Sequence, residues 1–300
     1  MSDPSSGDDA SPPPGQAPAP DAAVCYRHPN REAHIRCVRC ERRICPDCMI
    51  PASVGFQCPE CVREGNKDIR RATTVFGGRV SDNPGYISKI LIGINAVAYV
   101  LQLAVGKAVE HHFWLIGGPA SDPTIQESVG VADGEFYRLI TAAFLHGGIV
   151  HLALNMYAIY LFGPPLEAAL GRLRFVVLYL VSALGGSALS YAFSSPTTPS
   201  LGASGAVFGL LGAYLVVGRR LNKDTTSVMV LLALNFAYGF FVPRIDWRAH
   251  LGGLIAGALC AVAFAYAPAS RRTAIQIGGV AAVIVLALAV VAWRTLDLRG

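Results

Sequence analysis

The chain has 300 residues, of which 53% are hydrophobic and only 15% are charged, and its mean hydropathy is +0.43. A soluble domain carries about a quarter charged residues, so this composition argues against an ordinary soluble protein and indicates a membrane protein. The net charge of +5 is modest. Basic residues beside membrane spans explain much of it, so no nucleic-acid partner is expected.

The first 23 residues are rich in Pro, Ser and Asp, and they are predicted to form a disordered tail. This stretch has neither a basic segment nor an apolar one. We therefore expect no signal peptide, and we expect membrane insertion to begin at a later span.

Residues 24–63 form a cysteine-rich module that holds seven of the eight cysteines. Four ligand pairs, each with two intervening residues, are Cys25 and His28, Cys37 and Cys40, Cys45 and Cys48, and Cys58 and Cys61. Such spacing lets both side chains of a pair reach one metal ion, and eight ligands fill two tetrahedral zinc sites. We predict two structural zinc ions, with no open coordination position and no cofactor for catalysis.

A disulfide framework is the alternative interpretation of this module, and a reducing cytoplasm would disfavour it. Because only four residues separate Cys40 from Cys45, we favour an alternating arrangement, with pairs one and three on one zinc and pairs two and four on the other. His34 is a rival to His28 but lacks the two-residue spacing. The module resembles a B-box-type zinc finger, which implies a structural role or a protein partner.

A basic linker at 64–86 leads to seven apolar stretches that we predict to be membrane-spanning helices. They lie at 87–106, 148–165, 173–193, 204–219, 226–242, 247–268 and 273–293. A span needs roughly 17–25 residues, so we take each stretch to cross the membrane, although the fourth and fifth are short. The region 107–147, which contains Asp122 and Glu127, is predicted to be an interfacial, partly helical excursion.

Basic residues alternate between the connecting segments. They occur in the linker and then as Arg172 and Arg174, as Arg219, Arg220 and Lys223, and as Arg271 and Arg272. The positive-inside rule makes these segments cytoplasmic, with Arg244 and Arg248 as exceptions on the outside. We predict a multi-pass protein of the cell membrane with a cytoplasmic N-terminus and an extracytoplasmic C-terminus.

Few polar residues occur within the predicted spans, and such residues are usually functional. Ser204 lies between small residues, a pattern that taken alone favours helix packing. His250 precedes Gly253 and Gly257, which share a helix face and would let another helix come close. It could meet a serine, or it could simply bond a backbone carbonyl.

His151 and Asn155 lie four residues apart on one helix face. They could form an oxyanion hole, or they could be interhelical hydrogen-bonding groups.

The depth of Ser204 favours a catalytic role. The predicted topology puts His151, Ser204 and His250 near the outer ends of their helices. Ser204 precedes Arg219 by fifteen residues, or about 23 Å of helix. In a hydrocarbon core about 30 Å thick, Ser204 would then lie roughly 7 Å below the outer boundary. A polar residue at that depth needs a water-filled cavity, and hydrolysis needs the same water.

Several motifs in order resemble the rhomboid proteases over residues 87–268. They are Phe144-Leu145-His146, His151-x3-Asn155, Gly202-Ala203-Ser204-Gly205 and Asp246-x2-Ala249-His250-x-Gly252-Gly253. Arg138 resembles the arginine of the family's Trp-Arg motif, with Tyr137 in place of Trp. Glu167 in Gly163-x3-Glu167-x3-Gly171 resembles a family glutamate that helps to hold the first membrane-associated loop.

The resemblance implies an all-α polytopic membrane protein with a six-helix rhomboid core, to which this chain adds a C-terminal seventh helix at 273–293 and the zinc module. It implies an intramembrane serine endopeptidase with a Ser204–His250 dyad and no third carboxylate. The oxyanion hole would combine the Ser204 N–H with His151 and Asn155, and Phe208 would pack on His250. Transmembrane substrate proteins would be cleaved near the extracytoplasmic end of their helix, in contact with membrane lipid. The fifth span and the 243–246 loop would act as gate and cap.

Two other functions are compatible with parts of the sequence. One is an inactive rhomboid-like scaffold that recruits partners through its zinc module. The other is a transporter or channel, which is disfavoured because the polar residues cluster near one end of the spans instead of lining a path through them. Cys260 stands alone in the sixth span and is interpreted as a packing residue.

Overall fold

The computed structural model describes residues 23–68, 72–118, 129–242 and 245–300. Residues 1–22 of the predicted tail, Arg70 and Arg71 of the linker, Asp122 and Glu127 of the excursion, and Arg244 lie outside the described residues. The chain forms two compact units, Met1–Arg71 and Ala72–Gly300, each with its own core. The division falls inside the predicted linker, so residues 72–86 belong to the second unit.

The N-terminal unit contains two small antiparallel sheets and one helix. β1 (Ile35–Arg36) pairs with β2 (Arg43–Ile44), β3 (Ile50–Pro51) pairs with β4 (Phe56–Gln57), and α1 covers Pro59–Asp68. Cysteine side chains make up most of its core, with Ala33 and Ile44 buried among them. A core this small buries little apolar surface, so a unit of this kind depends on metal ions or disulfides for stability.

The second unit is built of helices. They are α2 (Tyr86–Val105), α3 (Lys107–Phe113), α4 (Arg138–Thr141), α5 (Ile149–Leu170), α6 (Arg172–Phe193), α7 (Ser204–Arg220), α8 (Thr226–Phe241), α9 (Trp247–Ala265) and α10 (Arg272–Arg299). The region between α2 and α5 is partly helical. Besides α3 and α4 it contains two short 3-10 turns, Val131–Asp133 before α4 and Ala142–Phe144 after it.

Within the described ranges, five helices are long and apolar enough to cross a membrane, namely α2, α5, α6, α9 and α10 with the turn before it. α7 and α8, with 17 and 16 residues, are shorter than these five helices, as the sequence predicted for the fourth and fifth stretches. A shorter helix suffices for α7 because other helices surround most of its length, from Gly205 to Gly218. Its backbone therefore need not match the full hydrocarbon thickness.

Glycines bring α6, α7 and α9 into backbone contact. A Cβ added at Gly253 would collide with the carbonyl of Gly205, and one added at Gly257 would collide with Gly209. On α6, a Cβ at Gly186 would lie 2.8 Å from the carbonyl oxygen of Ala249. Gly253 and Gly257 thus do what their spacing predicted, and the close approach places the start of α9 beside the start of α7.

α10 packs along α6 and is attached at both ends. Near its start, the buried Gln276 donates to the carbonyls of Phe76 and Phe264, each at 3.0 Å, and accepts from Arg174 Nε at 2.8 Å. Near its end, the Thr295 hydroxyl lies 2.9 Å from the Tyr191 hydroxyl. The added helix is therefore integrated with the other six.

Glu167 has a different role from the one that the resemblance implied. The predicted second span ends at 165, but α5 continues to Leu170. This extension carries the fully buried Glu167 carboxylate to the start of α2, where it accepts hydrogen bonds from the N–H groups of Ile87 and Ser88. A carboxylate at a helix N-terminus satisfies unpaired N–H groups and favours the helix dipole. Glu167 therefore anchors α2, at the opposite end of α5 from the excursion.

Candidate active site and metal centres

Ser204 and His250 meet at the paired starts of α7 and α9. Ser204 is the first residue of α7, and His250 lies in the first turn of α9. Ser204 Oγ is 3.0 Å from His250 Nε2, which is hydrogen-bonding distance. His250 is 9% exposed. A buried serine–imidazole pair of this geometry can transfer a proton from the hydroxyl to the ring.

The ring of His250 is held by stacking instead of by a carboxylate. The Phe208 ring lies parallel to it at 10°, with the centroids 4.1 Å apart, and Phe236 of α8 packs edge-on against Phe208. Among the described residues, His250 Nδ1 has no hydrogen-bond partner. If Nε2 accepts from Ser204, the ring proton resides on Nδ1. The pair therefore has no third, carboxylate member within the described part of the chain.

Asp246 organises the surrounding backbone, a role that the sequence did not reveal. Its Oδ1 accepts from the N–H of Ala249 at 3.2 Å and caps α9. Its Oδ2 accepts from the hydroxyls of Ser190 and Ser200, the latter at 2.7 Å. One carboxylate thus joins α6, the segment before α7 and the start of α9. An Asp four residues before the histidine, at the start of an apolar run, was the available signal.

His151 faces Ser204 across Gly202. A Cβ added at Gly202 would lie 3.0 Å from His151 Nε2 and 3.6 Å from Ser204 Oγ, and the φ of +138° at this residue also favours glycine. His151 Nδ1 accepts a 3.4 Å hydrogen bond from the N–H of Gly147. The neutral ring therefore carries its proton on Nε2, the nitrogen on the Ser204 side.

Asn155 lies one turn beyond His151 and is buried, with its amide donating to the His151 carbonyl at 3.1 Å. That bond uses one of the two N–H groups of the amide. The Ser204 N–H belongs to the first turn of α7, where N–H groups have no intrahelical acceptor. Of the three predicted oxyanion donors, His151 and the Ser204 N–H thus lie beside Gly202, and Asn155 lies one turn farther along α5.

Gln102 in α2 is a further polar residue of this region that the sequence reasoning missed. Its amide accepts from the N–H of His146 at 2.9 Å and donates to the carbonyl of the same residue at 3.1 Å. The His146 ring packs edge-on against His151, with the centroids 5.2 Å apart. Gln102 therefore holds the segment that leads into His151. A glutamine inside an apolar span would have signalled it.

Arg138 holds the excursion between α2 and α5 together. Its buried guanidinium donates to the carbonyls of His111 and Trp114 at 2.8 and 3.0 Å, and to Glu135 at 2.7 Å. The Arg138 hydrogen bonds hold the Glu135 carboxyl pKa below its usual value, although burial opposes this. Arg138 thus holds the loop that the resemblance assigned to Glu167.

The N-terminal unit contains two clusters of potential metal ligands. One consists of Cys25, His28, Cys45 and Cys48, and the other of Cys37, Cys40, Cys58 and Cys61. Within each cluster the ligand atoms all lie within 4.8 Å of one another. The clusters correspond to the alternating arrangement favoured from the sequence. His34 is not in either cluster, because its side chain is 76% exposed and faces Glu32.

The donor chemistry of both clusters fits a metal ion. His28 Nδ1 lies 3.3 Å from Cys45 Sγ and 3.5 Å from Cys48 Sγ, and Cys40 Sγ lies 3.7 Å from Cys58 Sγ. Tetrahedral zinc with bonds of about 2.0–2.3 Å requires ligand separations of about this size. Burial opposes ionisation of Cys25 and Cys37, but backbone N–H groups outweigh it and lower each thiol pKa to about 6. Cys25 and Cys37 therefore supply thiolate ligands readily, whereas burial raises the pKa of Cys48 to about 11 and that of Cys61 to about 12.

Comparisons with known proteins match the helical unit. A family model described as the Rhomboid domain matches residues 133–267. The putative rhomboid protease YdcA of Bacillus subtilis (strain 168) is 39% identical over 140 residues, which cover 44% of this chain and 69% of YdcA. The chain belongs to the rhomboid family.

Two other rhomboid relatives are similar over comparable lengths. Rhomboid protease GluP of Bacillus subtilis (strain 168) is 40% identical over 157 residues, or 49% of this chain and 31% of GluP. RHOMBOID-like protein 6, mitochondrial, of Arabidopsis thaliana is 39% identical over 154 residues, or 47% of this chain and 49% of the relative. The chain thus spans about a third to a half of these two relatives. The matched family model begins at residue 133, so the metal-ligand clusters lie outside it.

Proposed function

We propose that this rhomboid is an active intramembrane serine endopeptidase with Ser204 as nucleophile and His250 as general base. The observation that supports the proposal most directly is the 3.0 Å separation between Ser204 Oγ and His250 Nε2. The burial of His250 beneath Phe208 restricts the ring to one orientation. A restricted base adjacent to a hydroxyl is what nucleophilic catalysis by serine requires.

In the proposed reaction, Ser204 Oγ attacks the scissile carbonyl carbon while its proton moves to His250 Nε2. The imidazolium then donates that proton to the leaving amine. A water molecule attacks the resulting acyl-enzyme, with His250 accepting its proton, and the ester bond to Ser204 breaks as His250 returns that proton to Ser204 Oγ. Because no described carboxylate bonds to Nδ1, the stacked Phe208 and the packing of α9 must orient the ring.

The developing oxyanion would be stabilised by the Ser204 N–H, His151 Nε2–H and the Asn155 amide. The Gly147–His151 hydrogen bond supports this role, since it leaves the His151 proton on the side of Ser204. The oxyanion would also lie at the start of α7, where the helix dipole favours negative charge. Donors that are already oriented stabilise such a charge most effectively.

The proposed substrates are transmembrane proteins, which would be cleaved near the extracytoplasmic end of their membrane helix. α8 is suited to act as a gate because only Val228, Leu232 and Gly239 are buried along its length. A Cβ at Gly239 would lie 3.7 Å from His250 Nδ1, so α8 covers the base directly. Displacement of this lightly packed helix would open a lateral path to Ser204. Two residues of the proposed 243–246 cap lie outside the described ranges.

Substitution of either member of the dyad tests the proposal. We expect Ser204→Ala and His250→Ala each to reduce cleavage of a model transmembrane substrate by roughly a thousandfold or more. Ser182→Ala is a matched control, because Ser182 is a buried serine that bonds the Leu178 carbonyl away from the dyad. Cleavage at the normal rate by Ser204→Ala would refute the assignment of Ser204 as the nucleophile. An intact wild-type protein that a serine-directed fluorophosphonate fails to label would favour the inactive scaffold instead.

We also propose that the N-terminus is cytoplasmic and the C-terminus extracytoplasmic. The support is the alternation of basic residues between the connecting segments. Reporter fusions to the full-length chain, one at its N-terminus and one after residue 300, test this orientation. A cytoplasmic fluorescent reporter should be active only on the first fusion, and an extracytoplasmic phosphatase reporter only on the second. The reverse pattern would refute the orientation.

Zinc is the metal that we propose for both cysteine clusters. One ion would be held by Cys25, His28, Cys45 and Cys48, and the other by Cys37, Cys40, Cys58 and Cys61. When bound, zinc would supply folding free energy to the small N-terminal unit. With four protein ligands per ion, neither site would leave a position for a substrate, so a structural or partner-binding role is proposed for the unit.

A further inference from the structure

A cavity of about 220 cubic ångströms lies at the end of the helical unit opposite Ser204. Its walls come from the segment before α2, the last residue of α7, the end of α9 and the start of α10. The lining residues are Val75, Phe76, Arg220, Arg272 and the run 264–269. Small-molecule sites typically have volumes of about 300–1,000 cubic ångströms, so this smaller cavity suits a single headgroup-sized ligand.

Two arginines give the cavity its chemistry. Arg220 is the last residue of α7, and its guanidinium lies 5.6 Å from the centroid of the Tyr266 ring. Arg272 is the first residue of α10, and its Nε is buried without a hydrogen-bond partner among the described residues. Neither guanidinium forms an ion pair with a described carboxylate. The cavity therefore holds two positive charges that lack an anion.

The position of Arg272 is determined by the backbone that it covers. A Cβ added at Gly77 would lie 2.7 Å from Arg272 Cδ and 3.0 Å from Nη1, so only glycine leaves room for the guanidinium. Gly77 has a φ of +83° and lies in a turn closed by hydrogen bonds between Thr74 and Gly78. The turn is attached to α10 through the 3.0 Å bond from Gln276 to the Phe76 carbonyl. A packed and oriented arginine resembles a binding group more than a freely solvated charge.

We propose that this cavity binds a phosphate group, presented by the headgroup of an anionic phospholipid, which the orientation proposed above would place in the inner leaflet. Guanidinium groups donate several hydrogen bonds in a plane that matches phosphate oxygens. The start of α10 has no side-chain cap, so its dipole and first N–H groups would reinforce the attraction. Basic pockets between membrane helices on the cytoplasmic side commonly bind such headgroups.

The bound lipid would contact all four of the segments that line the cavity. It would bridge α7, which begins with Ser204, to α10, the helix added to the six-helix core. The proposal does not depend on catalysis, since it concerns the opposite end of the unit.

The full-length protein, delipidated in detergent, can be titrated with phosphatidylglycerol, phosphatidylcholine or inorganic phosphate and analysed by native mass spectrometry. Wild type is expected to bind phosphatidylglycerol at least tenfold more tightly than phosphatidylcholine. The double substitution Arg220→Gln with Arg272→Gln should remove this preference. Arg219→Gln with Arg271→Gln is the matched control, because both residues are sequence neighbours of the cavity arginines, neither lines the cavity, and the charge change is equal.

If both double variants lost the preference for phosphatidylglycerol to the same extent, the proposal would be overturned, since that result would indicate binding to a diffuse positive surface. Retention of the preference by the cavity variant would overturn it as well. Displacement of phosphatidylglycerol by low millimolar inorganic phosphate would support the phosphate site but identify a free anion as its source. If the double variant does not fold, Arg220→Gln alone replaces it. We expect this variant to lose affinity for phosphatidylglycerol severalfold and Arg219→Gln to lose none.

Discussion

Single side chains around Ser204 have separable tasks. Ser204 and His250 are the reacting pair in the proposed mechanism, Phe208 stacks on the base, and Asp246 caps the helix that carries it. Gln102 does not contact the dyad and instead holds the backbone of the segment around His146. These differences predict different kinetic effects when each residue is changed.

Replacing Gln102 by leucine removes both hydrogen bonds to the His146 backbone and leaves buried polar groups unpaired. The Gly147 N–H would then shift relative to His151, so this proposed oxyanion donor would lose its orientation. We expect kcat for a model transmembrane substrate to fall about tenfold to a hundredfold with little change in KM, because the contact acts mainly in the transition state.

Asn95→Leu is the control for this variant. Asn95 is a buried amide in the same helix, but it bonds the Leu91 carbonyl of its own helix, and its substitution should leave kcat unchanged. Equal losses of kcat in the two variants would show that α2 tolerates neither change, and the positioning role of Gln102 would be rejected.

At the scale of the helix, the decisive contact is the one between α7 and α9. Gly205 and Gly209 of α7 face Gly253 and Gly257 of α9 so closely that a Cβ added at Gly253 or Gly257 would collide with backbone atoms of α7. Backbone atoms cannot move aside as a flexible side chain can. Ser204 and His250 extend from the first turns of these two helices, so their separation depends directly on the spacing of the helices.

Gly257→Ala should therefore destabilise the protein by about 1–3 kcal/mol through overpacking and should also reduce cleavage, because α9 must move away from α7. The thermal midpoint of unfolding and the substrate cleavage rate measure the two effects. Gly278→Ala in α10 is a matched control, since a Cβ there has no neighbour within 4 Å. That variant should be neutral or slightly more stable. A Gly257→Ala protein with unchanged midpoint and rate would contradict the packing argument.

For the whole molecule, the separation into two compact units predicts separable stability. The core of the N-terminal unit consists largely of potential metal ligands, whereas the helical unit has an extensive apolar core. Removing the metal would leave the first unit without its main source of stability, and the second would keep its own.

Treatment of the full-length protein with a strong chelator should therefore expose residues 24–63 to limited proteolysis. Labelling of Ser204 by a serine-directed probe should persist. Metal analysis of the untreated protein should find about two equivalents of zinc. Protection of residues 24–63 in a protein that retains no metal would refute the structural-zinc proposal.

Hydropathy, ligand spacing and the order of short motifs were sufficient to predict the helices, the two metal-ligand clusters and the rhomboid family. Each of these features is local, since it depends on residue type and on separation along the chain. Spacing alone was enough to prefer His28 over His34 as a metal ligand. The spacing of Gly253 and Gly257 likewise predicted a close helix contact.

Contacts between distant segments required the tertiary structure. Glu167 anchors α2 instead of the excursion because α5 continues past two prolines, and no local pattern encodes that extension. Asp246 meets Ser190 and Ser200, Gln102 meets His146, and Arg220 meets Arg272 across a cavity, all between residues far apart in the chain. Sequence spacing specifies which face of a helix a side chain occupies. Only the packing of the helices determines which other side chain that face meets.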